Sequence, residues 1–295
     1  MYGYYHDAIG DADYPYTDLA CERRRAGIEI DGVDFSREKT TVGRWERLRV
    51  STDLGARSIG RPKGIYDTLE LMRMDLMDAD SVEDAADEIA RELCYMLEIE
   101  GVMPERLLVV GLGNPSLTPD SLGAAAAEIV KPTLHISEGD PELFDELECS
   151  QIAVMTPGVA ARTGMDSLTA IKGVCDALKP NAVIVIDSLC ARSPDRLGTT
   201  VQICNTGIRP GSGIGGKRRA LNADSLGAPV IAVGVPTVVD SRMFWLDAQR
   251  GSETIAPPDG VRRSMLVCPR EISEIVDAAA KIVGGGINQA FGLFY

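Results

Sequence analysis

The stretch "LLVVGLGNPSLTPDSLG" (residues 107–123) decides the fold. An apolar run breaks into glycines and then delivers an aspartate, Asp120, just before an alanine-rich segment. Strand, glycine loop and helix in that order are the unit of a parallel sheet. The pattern repeats downstream. Strands are expected over 152–156, 182–187 ("AVIVID"), 199–204 and 229–233. Helices are expected over 120–129, 166–178, where Lys179-Pro180 stops the run, and 271–283, before a "GGG" read as the start of a tail. Upstream, alternation between 27 and 50 predicts strands or hairpins, and 81–97 reads as an amphipathic helix capped by Ser81. The expectation is an α/β fold, a mostly parallel sheet with helices on both faces and of phosphorylase/hydrolase-like type. It forms a single domain over 19–295 behind an acidic, tyrosine-rich leader over 1–18.

Ligands of such sheets bind beyond the carboxyl ends of the strands. The loop after 107–111 has the place of a phosphate cradle, where a helix N-terminus attracts anions. It offers a carboxylate and no lysine.

Composition narrows the chemistry. The 295 residues carry a net charge of −14, the opposite of the basic footprint that nucleic-acid binding needs. Seven cysteines, none in a CxxC pair, read as reduced thiols in a cytosolic compartment. The acidic start lacks an apolar signal core, and no apolar run is long enough to span a bilayer. With two histidines and no zinc-ligand spacing, acid–base chemistry falls to carboxylates.

Two aspartates stand out. Asp120 could simply start a helix, with Thr118 as cap and Pro119 in first position. Asp187 ends an apolar strand, and could pair structurally with Arg192 or Arg196. If the two strands are neighbours, both carboxylates reach one edge. A close pair cannot easily ionise twice, so one keeps a proton while the other serves as base. The loops at 156–164 and 207–218 would line a substrate channel there. The candidate substrate contacts are Thr163, Gly164, Arg192, Gly211, Ser212, Gly213 and Lys217, with Arg218 and Arg219 as further charge partners. "GSGIGG" (211–216) contains a literal GxGxxG, and Asp240 ends the next strand as a ribose-binding acid might. Arg209-Pro210 breaks the strand that should lead in, and the following segment is short for a crossover helix. Cys190, close to Asp187, is expected to be core, since a neighbouring carboxylate raises a thiol pKa.

An ordered set of segments carries a resemblance: "YTDLACE" (16–22), "IGRPKGIYDTLEL" (59–71), "VVGLGNPSLTPDSLG" (109–123), "TPGVAARTGMDS" (156–167), "VIDSLCAR" (185–192) and "NTGIRPGSGIGGKRRALNADSLGAPVIAVGVPTVVD" (205–240). Together they resemble the germination proteases of spore-forming bacteria. The resemblance implies an endopeptidase of the spore core (cytoplasmic, forespore) that degrades small acid-soluble spore proteins. It also implies a homotetramer made as a zymogen that removes its own leader, no cofactor, and a fold shared with hydrogenase-maturation proteases. The family's essential carboxylates match Asp120 and Asp187. Its substrates are cut after an acid in a stretch like Thr-Glu-Ile-Ala-Ser-Glu. Thr17-Asp18-Leu19-Ala20-Cys21-Glu22 follows that pattern, so self-cleavage is expected between Asp18 and Leu19. Departures such as "DSLCAR" for "DALAAR" and "GGKRR" for a form like "GNHR" spare both aspartates. Two rivals are a metal-assisted maturation-type peptidase with carboxylate ligands and a non-catalytic nucleotide-binding protein using the glycine loop.

Overall fold

The computed structural model describes residues 17–24, 29–212, 218–243 and 265–293. Its strands are β1 (Val33–Lys39), β2 (Gly43–Val50), β3 (Gly64–Leu71), β4 (Arg106–Gly111), β5 (Gln151–Met155), β6 (Ala182–Ala191), β7 (Thr200–Cys204), β8 (Val230–Asp240) and β9 (Leu266–Val267). They join in one mixed sheet of order β1-β2-β3-β7-β8-β6-β4-β5, with β9 on the far end of β8. The block β8-β6-β4-β5 is parallel, as the repeated strand–helix pattern requires. The N-terminal β1-β2-β3 meander joins it antiparallel through β7.

Helices cover both faces, as central parallel strands buried on two sides demand. The helices are α1 (Asp53–Ile59), α2 (Ala79–Ile99), α3 (Leu122–Ile129), α4 (Leu134–Gly139), α5 (Pro141–Leu147), α6 (Ala160–Thr163), α7 (Ser167–Leu178), α8 (Ala223–Leu226) and α9 (Ile272–Ala290). On one face, Leu107, Val109, Ile184, Ile186 and Val233 pack with Ile89 and Leu93 of α2, Ala126 of α3 and Ile282 and Val283 of α9. On the other, Leu108, Val110, Val183 and Val185 meet Leu168, Ile171 and Cys175 of α7 and Leu226 of α8. None of the helices among the described residues is long and apolar enough to cross a membrane.

The structure corrects four local expectations. The cap of α2 is Asp78, whose carboxylate accepts from Ser81 N–H, and Ser81 lies inside the helix. Thr118–Asp120 is a short 3-10 turn, and the α-helix begins only at Leu122; neither Thr118 nor Pro119 opens a continuous helix. Strand β6 does not stop at Asp187 but runs to Ala191, held by β8 across a register shift at Leu189/Cys190. The segment "GGG" starts no tail, because α9 continues through it to Ala290. Those glycines let helices approach: a Cβ on Gly284 would lie 2.7 Å from Ile129 Cβ, and one on Gly286 2.8 Å from the Ala86 carbonyl oxygen.

Beside the sheet edge that matters, Gly123 sets the spacing of β4 and α3. A Cβ at Gly123 would stand 2.3 Å from the Leu112 carbonyl oxygen and 2.5 Å from that of Ile186, both backbone atoms. Gly123→Ala is expected to cost about 1–3 kcal/mol through overpacking, read as a lower denaturant midpoint.

Candidate active site

Asp187 lies within β6, on the face that carries Val183 and Val185, and only 6 % of it is exposed. Its cross-strand partner on β8 is Gly234, and Gly234 is in turn opposite Gln202 on β7. Register partners project to one face, so Asp187 and Gln202 flank a residue without a side chain. Leu189 fills the space above that glycine, where a Cβ would come within 2.5 Å of Leu189 Cγ. Ser188 N–H donates to Asp187 Oδ1 at 2.9 Å.

Asp120 arrives from the neighbouring strand β4, through the loop that opened the sequence. Asn114 N–H donates to its carboxylate at 3.0 Å and to its carbonyl at 2.8 Å, folding the loop back on the turn. Gly113 makes this possible: its φ is +103°, and a Cβ there would lie 2.0 Å from the Asp120 carbonyl oxygen. The turn is tied to β8 by the Thr237 hydroxyl, which donates to the Pro119 carbonyl at 2.6 Å.

The electrostatics join the two acids. Burial pushes the Asp187 carboxyl well above the usual range; the charge of Asp120 raises it further, then that of Asp18, while the Ser188 bond and Arg218 oppose. Burial also raises Asp120, against the Asn114 N–H and the same Arg218. Both carboxyls are thus driven toward the protonated form, Asp187 the more strongly. The positive charge of Arg218 lowers the pKa of both acids. The structural alternative for Asp187 loses one of its arginines, since Arg196 pairs with Glu46 at 2.9 Å.

Across this site lies the segment 17–24. Asp18 N–H donates to the Cys190 carbonyl at 2.7 Å, and Cys190 N–H returns a bond to Asp18 Oδ2 at 3.0 Å. The Ser212 hydroxyl donates to Asp18 Oδ1 at 2.6 Å. Leu19 is fully buried in an apolar cluster with Leu189, Ala191 and Val239. Glu22 accepts from the backbone N–H groups of Arg192 at 2.7 Å and Ser193 at 2.9 Å, and from the Thr17 hydroxyl. Arg61 and Arg23 donate to the Thr17 carbonyl at 2.9 and 3.1 Å. The two acids, Asp18 and Glu22, and the apolar Leu19 thus each meet a receptor outside the segment, while the Thr17 hydroxyl bonds Glu22 within it.

Among the other expected contacts, Ser212 and the Arg192 backbone meet the segment directly. Gly211 adopts φ +72° beside Ser212. Thr163 ends α6 and Gly164 caps it at φ +72°; the Thr163 hydroxyl bonds its own loop, at the Val159 and Met165 carbonyls. That loop reaches the Asp120 loop through Arg162, which donates to Ser116 Oγ at 2.9 Å. Gly213 and Lys217 lie outside the described residues, as does the leader over 1–16. Arg219 turns away to Asp166 at 2.7 Å. Burial pushes the Cys190 thiol up to about 12, with Asp18 and Asp240 adding to it, as expected of a core cysteine.

The nucleotide-loop alternative fares poorly. Residues 218–222 are not helical, the next helix is only Ala223–Leu226, and Asp240 is engaged by Arg242 at 2.5 Å. Among the described residues no group of three or more His, Cys, Asp or Glu could hold a metal ion.

Sequence reasoning missed Gln202. Its Nε2 donates to the Asp18 carbonyl at 3.2 Å, and its Oε1 accepts from Ala20 N–H at 2.7 Å. The available signal was a lone amide in "TVQIC", a strand in which every residue is buried.

Comparison with known proteins gives the family of the chain. A family model described as germination protease matches residues 16–250. The chain is 39% identical to the germination protease of Caldanaerobacter subterraneus subsp. tengcongensis over 76% of this chain and 69% of that one. It is 32% identical to that of Clostridium perfringens over 93% and 94%, and 42% identical to that of Bacillus mycoides over 76% and 63%. Among solved structures, a nickel–iron hydrogenase maturation protease from Thermococcus kodakarensis KOD1 aligns at 15% identity over 65% of this chain and 98% of that one, with a TM-score of 0.34, too slight a likeness to bear on the site. By family match and by identity along most of its length, the chain belongs to the germination proteases.

Proposed function

We propose that this protease is an aspartate-pair endopeptidase, made as a zymogen, that cuts its own Asp18–Leu19 bond and then small acid-soluble spore proteins in the germinating spore. One observation carries the reading: Asp18, Leu19 and Glu22 are held on the carboxyl half of β6, Leu19 is fully buried there, and the charge of Asp18 acts on Asp187. Burial favours the proton on Asp187 over Asp120; between them the two acids take the proton of the attacking water and return one to the departing amine. The homotetramer implied by the family belongs to the same reading. The metal-assisted alternative finds no ligand set among the described residues.

Ser212 and Cys190 N–H select an acid before the cut, and the Arg192–Ser193 amides select one four residues later. Incubated under activating conditions, the full chain is expected to lose residues 1–18, seen as a mass drop by mass spectrometry. Asp18→Ala removes two charge-assisted bonds at about 1.5–3 kcal/mol each, and is expected to slow the loss by about 10²-fold or more. A chain that never loses residues 1–18, or an Asp18→Ala variant that loses them at the wild-type rate, contradicts the proposal.

A further inference from the structure

We infer that Gln202 is a catalytic residue: its side-chain amide donates to the carbonyl oxygen of the bond being cut and fixes the peptide on both sides of it. The inference rests on the reading of Asp18–Leu19 as the cleaved bond. Gln202 Nε2 lies 3.2 Å from the Asp18 carbonyl oxygen, the atom on which negative charge develops when water adds. Its Oε1 accepts Ala20 N–H at 2.7 Å, so one planar amide spans the peptide from the residue before the bond to the second residue after it. The position is built into the sheet. Gln202 and Asp187 stand on the same row, one on each side of Gly234, and the segment crosses that row.

Gln202 is 7 % exposed and both ends of its amide are committed, so the donor is preorganised in a dry site, where such groups act most strongly. In the reaction the water oxygen bonds to the Asp18 carbonyl carbon and the water proton passes to the carboxylate pair. The π-electron pair moves to the carbonyl oxygen, where the Gln202 N–H stabilises it. Collapse re-forms the carbonyl and breaks the carbon–nitrogen bond, and the Leu19 nitrogen takes a proton from the pair. Gln202 keeps its own protons throughout. In a substrate protein the same amide meets the carbonyl of the residue before the cut and the N–H of the second residue after it.

The test is steady-state cleavage of a Thr-Glu-Ile-Ala-Ser-Glu peptide by wild type, Gln202→Met and Gln202→Glu, with thermal unfolding run alongside. Loss of one oxyanion donor costs about 10²–10³ in kcat, so Gln202→Met is expected to lose about 10²-fold or more in kcat with a much smaller change in KM. Glutamate at this position donates only when protonated. The Gln202→Glu to wild-type ratio of kcat is therefore expected to climb as pH falls, a response that a scaffold role would not produce. A rise in KM with kcat kept, a pH-independent ratio, or failure of both variants to fold assigns Gln202 to binding or scaffold and overturns the inference. Wild type that cuts neither the peptide nor its own 18–19 bond sinks instead the reading on which it rests.

Discussion

Asp187→Asn is expected to give a folded protein whose kcat on the hexapeptide falls by about 10⁴-fold or more. Asp120→Asn should behave alike, and the double variant should be hardly worse than either, because groups that work as one unit fail as one unit. In the proposed mechanism the reason lies in a proton shared by the two acids. With an amide at either position the site can no longer hold one neutral and one ionised carboxyl; burial pushes both pKa values upward, and the charge of Asp120 raises that of Asp187 further. An additive loss in the double variant would show that the two acids work independently.

The same substitution is expected to stabilise the fold. A carboxyl whose folded pKa is raised favours the native state fully below its unfolded value of about 3.9, and that contribution is lost as pH rises through the folded value. At neutral pH the wild-type protein therefore bears the cost of burying Asp187, and a neutral amide in its place would relieve it. The melting temperature of Asp187→Asn should exceed wild type at pH 7, with the gain shrinking toward pH 4. A variant that is inactive and also less stable would make Asp187 a structural acid.

The second large effect lies away from the site, where Arg47 locks the N-terminal meander to α2. Arg47 Nη1 donates to Asp67 at 2.6 Å and to Glu92 at 2.8 Å, and those acids are almost wholly buried. Its guanidinium also lies 5.2 Å from the ring centroid of Trp45 and 5.7 Å from that of Tyr95. Arg47→Ala leaves two buried carboxylates without their cation, and is expected to destabilise the protein by about 3–5 kcal/mol in denaturant unfolding. A loss below about 1 kcal/mol would show that the pair neutralises itself.

Burial, then Asp67, pushes Glu92 up to about 8, against the pull of Arg47. Protonated Glu92 therefore favours the fold below its unfolded value of about 4.3, and that stability drains away as pH climbs to about 8. Glu92→Gln should flatten the slope across this window. Because β3 leads directly through β7 to Gln202, the cluster also anchors the part of the sheet that carries one wall of the site.

Much of this was legible in residue types. Strands rich in branched residues, "AVIVID" above all, announced the parallel block, and the TPD loop announced that an acid reaches its edge. What stayed hidden depended on partners far away in sequence. The residues "SLCA" look like a loop, but β8 on one side and the docked segment on the other draw them into β6, so Asp187 sits inside a strand. The C-terminal glycines read as a tail because their use, close approach to Ile129 and Ile89, is tertiary. Strand β3 points Asp67 inward, which breaks apolar alternation until Arg47 is seen opposite. Gln202 has no telltale spacing, and its meaning comes only from the row it shares with Gly234 and Asp187. Conversely, the 17–22 pattern was read for its order of types, and its two acids and its leucine meet matching groups on the sheet.

The most direct measurement is the intact mass of full-length wild type and Asp187→Asn, incubated separately under the same activating conditions. The expected result is a wild-type product that begins at Leu19 and an Asp187→Asn chain that keeps its first 18 residues. An Asp187→Asn chain trimmed at the same bond and the same rate would contradict catalysis by the aspartate pair.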